Sequence, residues 1–376
     1  MAFALAADVP APLQRPAVVA PGPREISFGT VFGRVGPGTH RVTVLVNDEE
    51  AAGGRVEGHR FTFRLDLPPV DAQLRVVASD ALGNSAETIV GPVFGLPRAA
   101  AARGGRAYED GLLARAVGAL VDEFPGTSAV YVQDLVTGAG AAWNARARFP
   151  AASTVKLAIA VEVLRTLGPR PPPQSELGRL LHLMLVHSEN DAANALLEWL
   201  GGSGVGGAAE VNETLAALGL RDSYLYGGFL TGGAGPPIPL TVESQPSVEG
   251  KYTTAWDLAQ LHRLVHLAAN GRGPLVDDGF SRADARFLLW VLAHSADRGK
   301  LDRYVSDEAV VPHKAGWIAE ARHDAGIVYW EGGAFVAAVL TYTGADAGVT
   351  SDELAGRVSE AALEILREQA ETPNQA

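Results

Sequence analysis

The sequence predicts two folded parts in one chain: a small all-β sandwich, then an α+β domain in which an antiparallel sheet is flanked by helices and joined to a helical block. Three observations predict it. Apolar residues alternate from Arg24 to about Phe94, as in Val42, Val44, Val46 and again in Phe61, Phe63, Leu65, Leu67, which is the period of a half-buried strand. Residues from about Gly95 to Gly105 carry little apolar pattern and read as a tether. Beyond them the order is helix, hairpin, helical block, three strands and a closing helix, the order of an α+β domain. The chain has 376 residues, 47% of them hydrophobic and 20% charged, enough to bury one large core or two smaller ones.

Taken in order, residues 1–23 are expected to be a disordered N-terminus or the remnant of a signal peptide. Ala4-Leu5-Ala6 has the small-residue spacing of a cleavage site, although no basic region precedes it. That reading implies export, to the cell envelope or beyond. Residues 24–96 form the sandwich, with turn chemistry at Gly36-Pro37-Gly38, Asn47-Asp48, Gly53-Gly54, Pro68-Pro69 and Gly83-Asn84. Ala78–Thr88 resembles the end of bacterial immunoglobulin-like modules, which implies a spacing or binding role. Residues 97–107 are the linker and 108–371 the second domain. There, Leu112, Leu113, Ala116, Val117, Leu120 and Val121 have helical spacing between Tyr108 and Phe124, ended by Pro125-Gly126. A hairpin turns at Thr137-Gly138. Residues 176–271 read as mostly helical around a long Gly- and Pro-rich stretch, Tyr224 to Gly250, and loops of that length are usually functional. Strands follow in VVPHKAGWI, DAGIVYW and AFVAAVLTY, and a helix runs from Asp352 to about Gln369.

Charge and composition exclude several classes. Lys plus Arg is 31 against 43 for Asp plus Glu, a net charge of −12, which disfavours capture of nucleic acid or anionic lipid. Without cysteine there is no disulfide framework, thiolate nucleophile or Cys-ligated zinc. No apolar run is long enough to predict a transmembrane segment.

Three short clusters carry chemistry. Ser153-Thr154-Val155-Lys156 lies where a loop enters a very apolar helix, so Ser153 and Lys156 share a helix face. A serine hydroxyl needs a base, and a lysine amine can be that base when burial or a neighbouring cation lowers its pKa. An isolated pair of this kind is most often a helix cap and a solvated lysine. Here, however, only four of the 31 cationic residues are lysines (Lys156, Lys251, Lys300 and Lys314), so the chain prefers arginine wherever a positive charge suffices. A lysine inside an apolar helix then suggests a need for an amine that titrates. Ser188-Glu189-Asn190 sits between LLHLMLV and DAANALLEWL and, read as an extended segment, points a hydroxyl and an amide two apart the same way, a pattern that a capping turn also explains. His313-Lys314-Ala315-Gly316-Trp317 opens a strand and sets a cation beside a glycine that lets backbone approach a substrate.

In order and context these segments resemble the penicillin-recognising serine hydrolases, specifically the class A β-lactamase-like family, whose set is S-x-x-K, S-D-N and K-T-G. The resemblance spans roughly Tyr108 to Glu371. It implies that Ser153 is acylated, that Lys156 activates it, and that Ser188, assisted by Lys314, relays a proton to the leaving nitrogen. It also implies that Asn190 binds a substrate amide and that Ala315, Gly316 and Trp317 line the substrate strand. The oxyanion hole would then be the backbone N–H groups of Ser153 and Trp317. The expected ligand is a small β-lactam or a peptidoglycan-like amide or ester, with no cofactor and no metal, in a monomer. Three departures stand out. Glu189 replaces Asp, Ala315 replaces Thr, and the E-x-x-L-N motif of the deacylating base is missing from the Tyr224–Lys251 stretch, whose acids are Glu243 and Glu249. Acylation is therefore expected to be intact, with Glu243 or Glu249 as the possible deacylation base. The competing expectations are a penicillin-binding-protein-like D,D-peptidase or esterase with slow deacylation, and a non-catalytic cell-envelope binding protein.

Weaker signals are read blandly. Gly202, Gly204 and Gly207 match G-x-G-x-x-G but follow a helix rather than a strand, which predicts a loop and not a dinucleotide site. His262 and His266 have zinc-pair spacing without a third ligand and are expected on a helix surface. Trp199, Trp256 and Trp290 are expected in the core.

Overall fold

The computed structural model describes residues 12–101, 105–229, 250–343 and 348–371, which fall into two compact units, Met1–Leu96 and Pro97–Ala376. The first unit is all-β. Its strands are β1 (Ala17–Ala20), β2 (Glu25–Ser27), β3 (Thr30–Arg34), β4 (Arg41–Val46), β5 (Glu49–Arg55), β6 (Arg60–Arg64), β7 (Asp71–Ser79) and β8 (Ser85–Gly95). They form a three-stranded sheet, β1-β3-β6, and a five-stranded one, β2-β8-β7-β4-β5. The alternation that predicted strands is the alternation of burial: Ala72, Leu74, Val76 and Ala78 of β7 turn inward against Val42 and Val44 of β4, and Val31 and Phe61 of the smaller sheet join the same apolar cluster. One strand lies ahead of Arg24, in the segment expected to be disordered. The apolar run Ala17-Val18-Val19-Ala20 pairs antiparallel with β3, and Gly33 admits it, since a Cβ there would stand 2.2 Å from the Ala17 carbonyl oxygen.

The second unit is α+β. A short strand, β9 (Tyr108–Glu109), precedes α1 (Gly111–Asp122), and β10 (Thr127–Asp134) and β11 (Ala139–Trp143) form the hairpin. Tyr108 is thus in a strand rather than the helix expected there, because the Asp110 carboxylate caps α1 by accepting from the N–H groups of Leu112 and Leu113. Then come β12 (Phe149–Pro150), α2 (Lys156–Leu167), α3 (Glu176–Val186), α4 (Asn190–Gly201), α5 (Gly204–Ala217), β13 (Tyr252–Thr253), α6 (Ala255–Ala269), α7 (Pro274–Asp277) and α8 (Arg282–Ala293). The end is β14 (His313–Ile318), β15 (Ala321–Trp330), β16 (Gly333–Tyr342) and α9 (Gly348–Glu371). The main sheet has the order β14-β15-β16-β10-β11-β9. Its pairs are antiparallel except at one edge, where β9 runs parallel to β11.

Two layers cover this sheet. Val130, Val132, Val328, Phe335 and Val339 share an apolar cluster with Leu113 and Val117 of α1 and Leu354, Val358 and Leu363 of α9. Tyr329, next to Val328, turns the opposite way and meets His266 of α6. The helical block is built on α2, which packs against α3, α4 and α5. The glycines at 201–207 serve the crossing of α4 and α5. Gly202 ends α4 in the left-handed region with φ of 73°, and a Cβ on Gly207 would lie 2.0 Å from the Leu197 carbonyl oxygen.

Two bland expectations change. His262 and His266 are buried, not on a surface, because α6 is covered by the sheet on one side and by α8 on the other. Burial drives both well below the ordinary imidazole value, to about 3, so they are neutral core residues. Trp199 is 41% exposed on the outer side of α4, whereas Trp290 is buried.

Candidate active site

Three elements place the candidate residues. The first is the N-terminus of α2. Lys156 to Leu164 are buried one after another, so the helix has no solvated face there, and the Lys156 ammonium is drawn into the block. Its Nζ donates to the Ser188 carbonyl oxygen at 2.5 Å and to Asn190 Oδ1 at 2.7 Å. Burial, then the Lys314 charge, push it down to about 7, against the opposing pull of Glu189. Ser153 sits in the turn just ahead. Ala152 takes a φ of 47°, uncommon for a residue with a side chain, and Thr154 closes the turn by donating its Oγ1–H to the Ala151 carbonyl at 2.6 Å.

The second element is the turn between α3 and α4. Ser188 has φ of 58°, in the left-handed region, and is not in the extended segment that the spacing suggested. The outcome is still convergence. The Ser188 carbonyl meets Lys156, its Oγ meets Lys314, and Asn190, the first residue of α4, brings its amide oxygen to Lys156. The Glu189 side chain between them is exposed.

The third element is β14, an edge strand of the main sheet. Alternation along the strand sends His313 and Lys314 to opposite faces. Lys314 Nζ donates to Ser188 Oγ at 2.9 Å and to the Ala315 carbonyl at 2.7 Å, and burial pushes it down to about 8 although Asp297 and Asp324 oppose the shift. His313 Nδ1 lies 2.7 Å from the Asp324 carboxylate. A Cβ on Gly316 would fall 2.6 Å from the Ser153 nitrogen and 2.7 Å from the Thr154 nitrogen, so only glycine lets the strand come this close to the α2 turn. Ala315 is buried, while Trp317 is 60% exposed near the end of the strand.

The structure therefore brings Ser153, Lys156, Ser188, Asn190, Lys314 and Gly316 together. Glu243 and Glu249 lie outside the described residues. Sequence reasoning passed over Phe229, Lys251 and His323. The Phe229 ring centroid is 4.8 Å from Lys156 Nζ and 4.8 Å from Lys251 Nζ, and the Phe229 N–H is held by Asn194 Oδ1 at 2.7 Å. His323 accepts from the Thr341 N–H at Nδ1, so its Nε2–H donates to the Pro150 carbonyl at 2.8 Å and ties β15 to the chain entering the Ser153 turn. The scarcity of lysine was the one signal that pointed to Lys251.

A family model described as the β-lactamase enzyme family matches residues 112–170 and 169–366. Among solved structures, one described as PBP-A is similar at 22% identity with a TM-score of 0.57, covering 70% of this chain and 98% of that one. A β-lactamase from Streptosporangium roseum is similar at 19% identity and TM-score 0.55, covering 68% of this chain and 98% of that one. A β-lactamase from Streptomyces albus G is 22% identical with TM-score 0.54, covering 67% of this chain and 98% of that one. At these identities the likeness is one of fold. No curated protein sequence matches the chain.

Proposed function

The chain belongs to the β-lactamase enzyme family, and from that premise we propose that it is an active-site-serine hydrolase acylated at Ser153 by β-lactams or related amides and esters. The observation that carries this reading is the convergence of two buried lysines on Ser188 beside the Ser153 turn, one of them at about 7. In the proposed acylation, uncharged Lys156 takes the Ser153 hydroxyl proton as Oγ bonds to the substrate carbonyl carbon. The oxygen that becomes negative is held by the backbone N–H groups of Ser153 and Trp317, donors worth about 10²–10³ in turnover in comparable sites. The C–N bond then breaks, Ser188 Oγ hands its proton to the leaving nitrogen, and the proton that Lys156 took from Ser153 passes to Ser188, which restores both groups. Lys314, at 2.9 Å, supplies the positive charge that favours this transfer and attracts a substrate carboxylate. Asn190 orients Lys156 and binds the substrate amide. Water then hydrolyses the ester at Ser153, with Glu243 or Glu249 as the proposed base.

One observation favours the slower variant of this chemistry, a penicillin-binding-type enzyme whose acyl form persists. Among the described residues of the 224–250 stretch, the group that meets Lys156 is the Phe229 ring, and a hydrocarbon ring cannot activate water. A structural neighbour, a point mutant of PBP-A, is described as an acyl-enzyme complex with penicillin G. We also propose that the protein is exported and that the all-β unit spaces the hydrolase or binds envelope material. Intact-protein mass spectrometry after mixing with a penicillin tests the central claim. A Ser153-dependent adduct that forms and clears supports a β-lactamase, a persistent one supports the slower enzyme, and the absence of any adduct refutes acylation by β-lactams.

A further inference from the structure

Lys251 closes the long Gly- and Pro-rich stretch and stands immediately before β13. Its backbone position is tied to the nucleophile's turn. Its carbonyl accepts from the Ala151 N–H at 2.9 Å, and the next two residues pair with Pro150 and Phe149. Its side chain turns back to the other end of the stretch, donating from Nζ to the Gly228 carbonyl at 2.6 Å and approaching the ring of Phe229. That ring also receives Lys156, so two lysine side chains share one aromatic neighbour. The pairing is unusual for this chain. Arg146, Arg148, Arg170 and Arg303 supply the cations over Trp256, Tyr252, Phe287 and Tyr304, whereas both cations at Phe229 are lysines, in a sequence with four lysines among its 31 cationic residues.

We propose that Lys251 is a positioning residue for the acylation chemistry: held at the Phe229 ring, its charge keeps Lys156 in the uncharged form that accepts the Ser153 proton. The proposal rests on the reading of Lys156 as base. The charged groups that face Lys156 are Lys314 from β14, Glu189 from the turn before α4, and Lys251 from the segment before β13; the two lysines oppose its protonation and Glu189 favours it. Lys314 makes its hydrogen bonds on β14 and Ser188 and is a contact of the substrate itself. Lys251 makes its side-chain hydrogen bond on the Gly228 carbonyl, away from Ser188, and acts on Lys156 through space.

The scarcity of lysine provides the test. With lysine labelled at the ε carbon with ¹³C, the full chain gives four side-chain NMR signals, each assignable by substitution, and the midpoint of Lys156 is read directly, without substrate. In Lys251→Met or Lys251→Gln, the Lys156 midpoint should rise by about half to one pH unit, the size expected for a unit charge several ångströms away in a partly screened site. In Lys251→Arg it should stay where the wild type has it. The same ordering should appear in the acid limb of the acylation rate against pH. An unchanged Lys156 midpoint in a folded Lys251→Met or Lys251→Gln protein overturns the inference. A wild type that forms no Ser153 adduct overturns the proposed function instead, and the NMR titration separates the two failures.

Discussion

Lys156 has two differently built sides. Toward β14 and α4 it meets directional groups: the Ser188 carbonyl, the Asn190 amide oxygen, and Lys314 behind the Ser188 hydroxyl. Toward the 224–251 stretch it meets an aromatic ring with a second ammonium beside it. In the proposed mechanism the first side is the path along which protons move during acylation. The second sets the charge of Lys156 and offers no such path among the described residues. On the proposals above, one side makes the acyl-enzyme and the other controls when the base is ready.

Breaking the first side should have the largest effects. Ser153→Ala should abolish the penicillin adduct outright in the mass spectrum. Lys156→Arg keeps the charge but removes a base that can deprotonate, and should slow acylation by about 10²–10⁴, read from the rate of adduct formation. Gly316→Ala puts a methyl 2.6 Å from the Ser153 nitrogen. It must push the strand from the turn, and a loss of about 10²–10³ is expected, the size of a misplaced oxyanion donor.

The two lysines also sharpen the comparison through pH. Lys156 must be uncharged to act as base, so the rate should climb as pH rises through about 7. Lys314 must be charged to assist Ser188, so the rate should fall as pH rises through about 8. A narrow bell is expected in the acylation rate, with midpoints belonging to the coupled pair. A profile flat from about pH 6 to about pH 9, spanning both limbs, would remove the lysine mechanism.

The smallest effect is on stability. His262, His266 and His323 are held at about 3, 3 and 4 by burial, below the ordinary value of 6.5. Between those values the unfolded chain binds protons that the folded one does not. Stability is therefore full above about 6.5 and declines as pH falls toward about 4. Thermal unfolding at about pH 7 and about pH 4.5, on either side of the ordinary histidine value, should show the drop. His262→Leu should reduce it, since neither ring nitrogen of His262 meets a protein partner among the described residues.

Much of the first side was legible in the sequence because its cues are local. Ser153 and Lys156 are one helical turn apart, Ser188 and Asn190 flank a helix start, and Gly316 lies within a strand that the sequence pattern predicts. The second side was not legible, because what places Phe229 and Lys251 is remote in the chain: Asn194 holds the Phe229 N–H, and Ala151 is bonded to the Lys251 carbonyl. The same rule divides the fold. The periodic strands β4, β7, β15 and β16 follow their sequence pattern, whereas the short strands β1, β9, β12 and β13 exist only because a distant partner offers an edge. His262 and His266 were misplaced for a related reason: spacing gives the face of α6 they occupy, not what covers that face.

The open side of β14 has a consequence for handling the protein in concentrated solution. An edge strand that ends in the exposed apolar pair Trp317 and Ile318 is a template for the strand of another molecule. The net charge of −12 keeps copies apart, and salt weakens that protection as the screening length shrinks from about 10 Å at 0.1 M to about 3 Å at 1 M. Self-association should therefore grow with ionic strength and blunt activity by occlusion, and a ligand bound along β14 should act as a solubiliser, because it occupies the surface on which aggregation would begin.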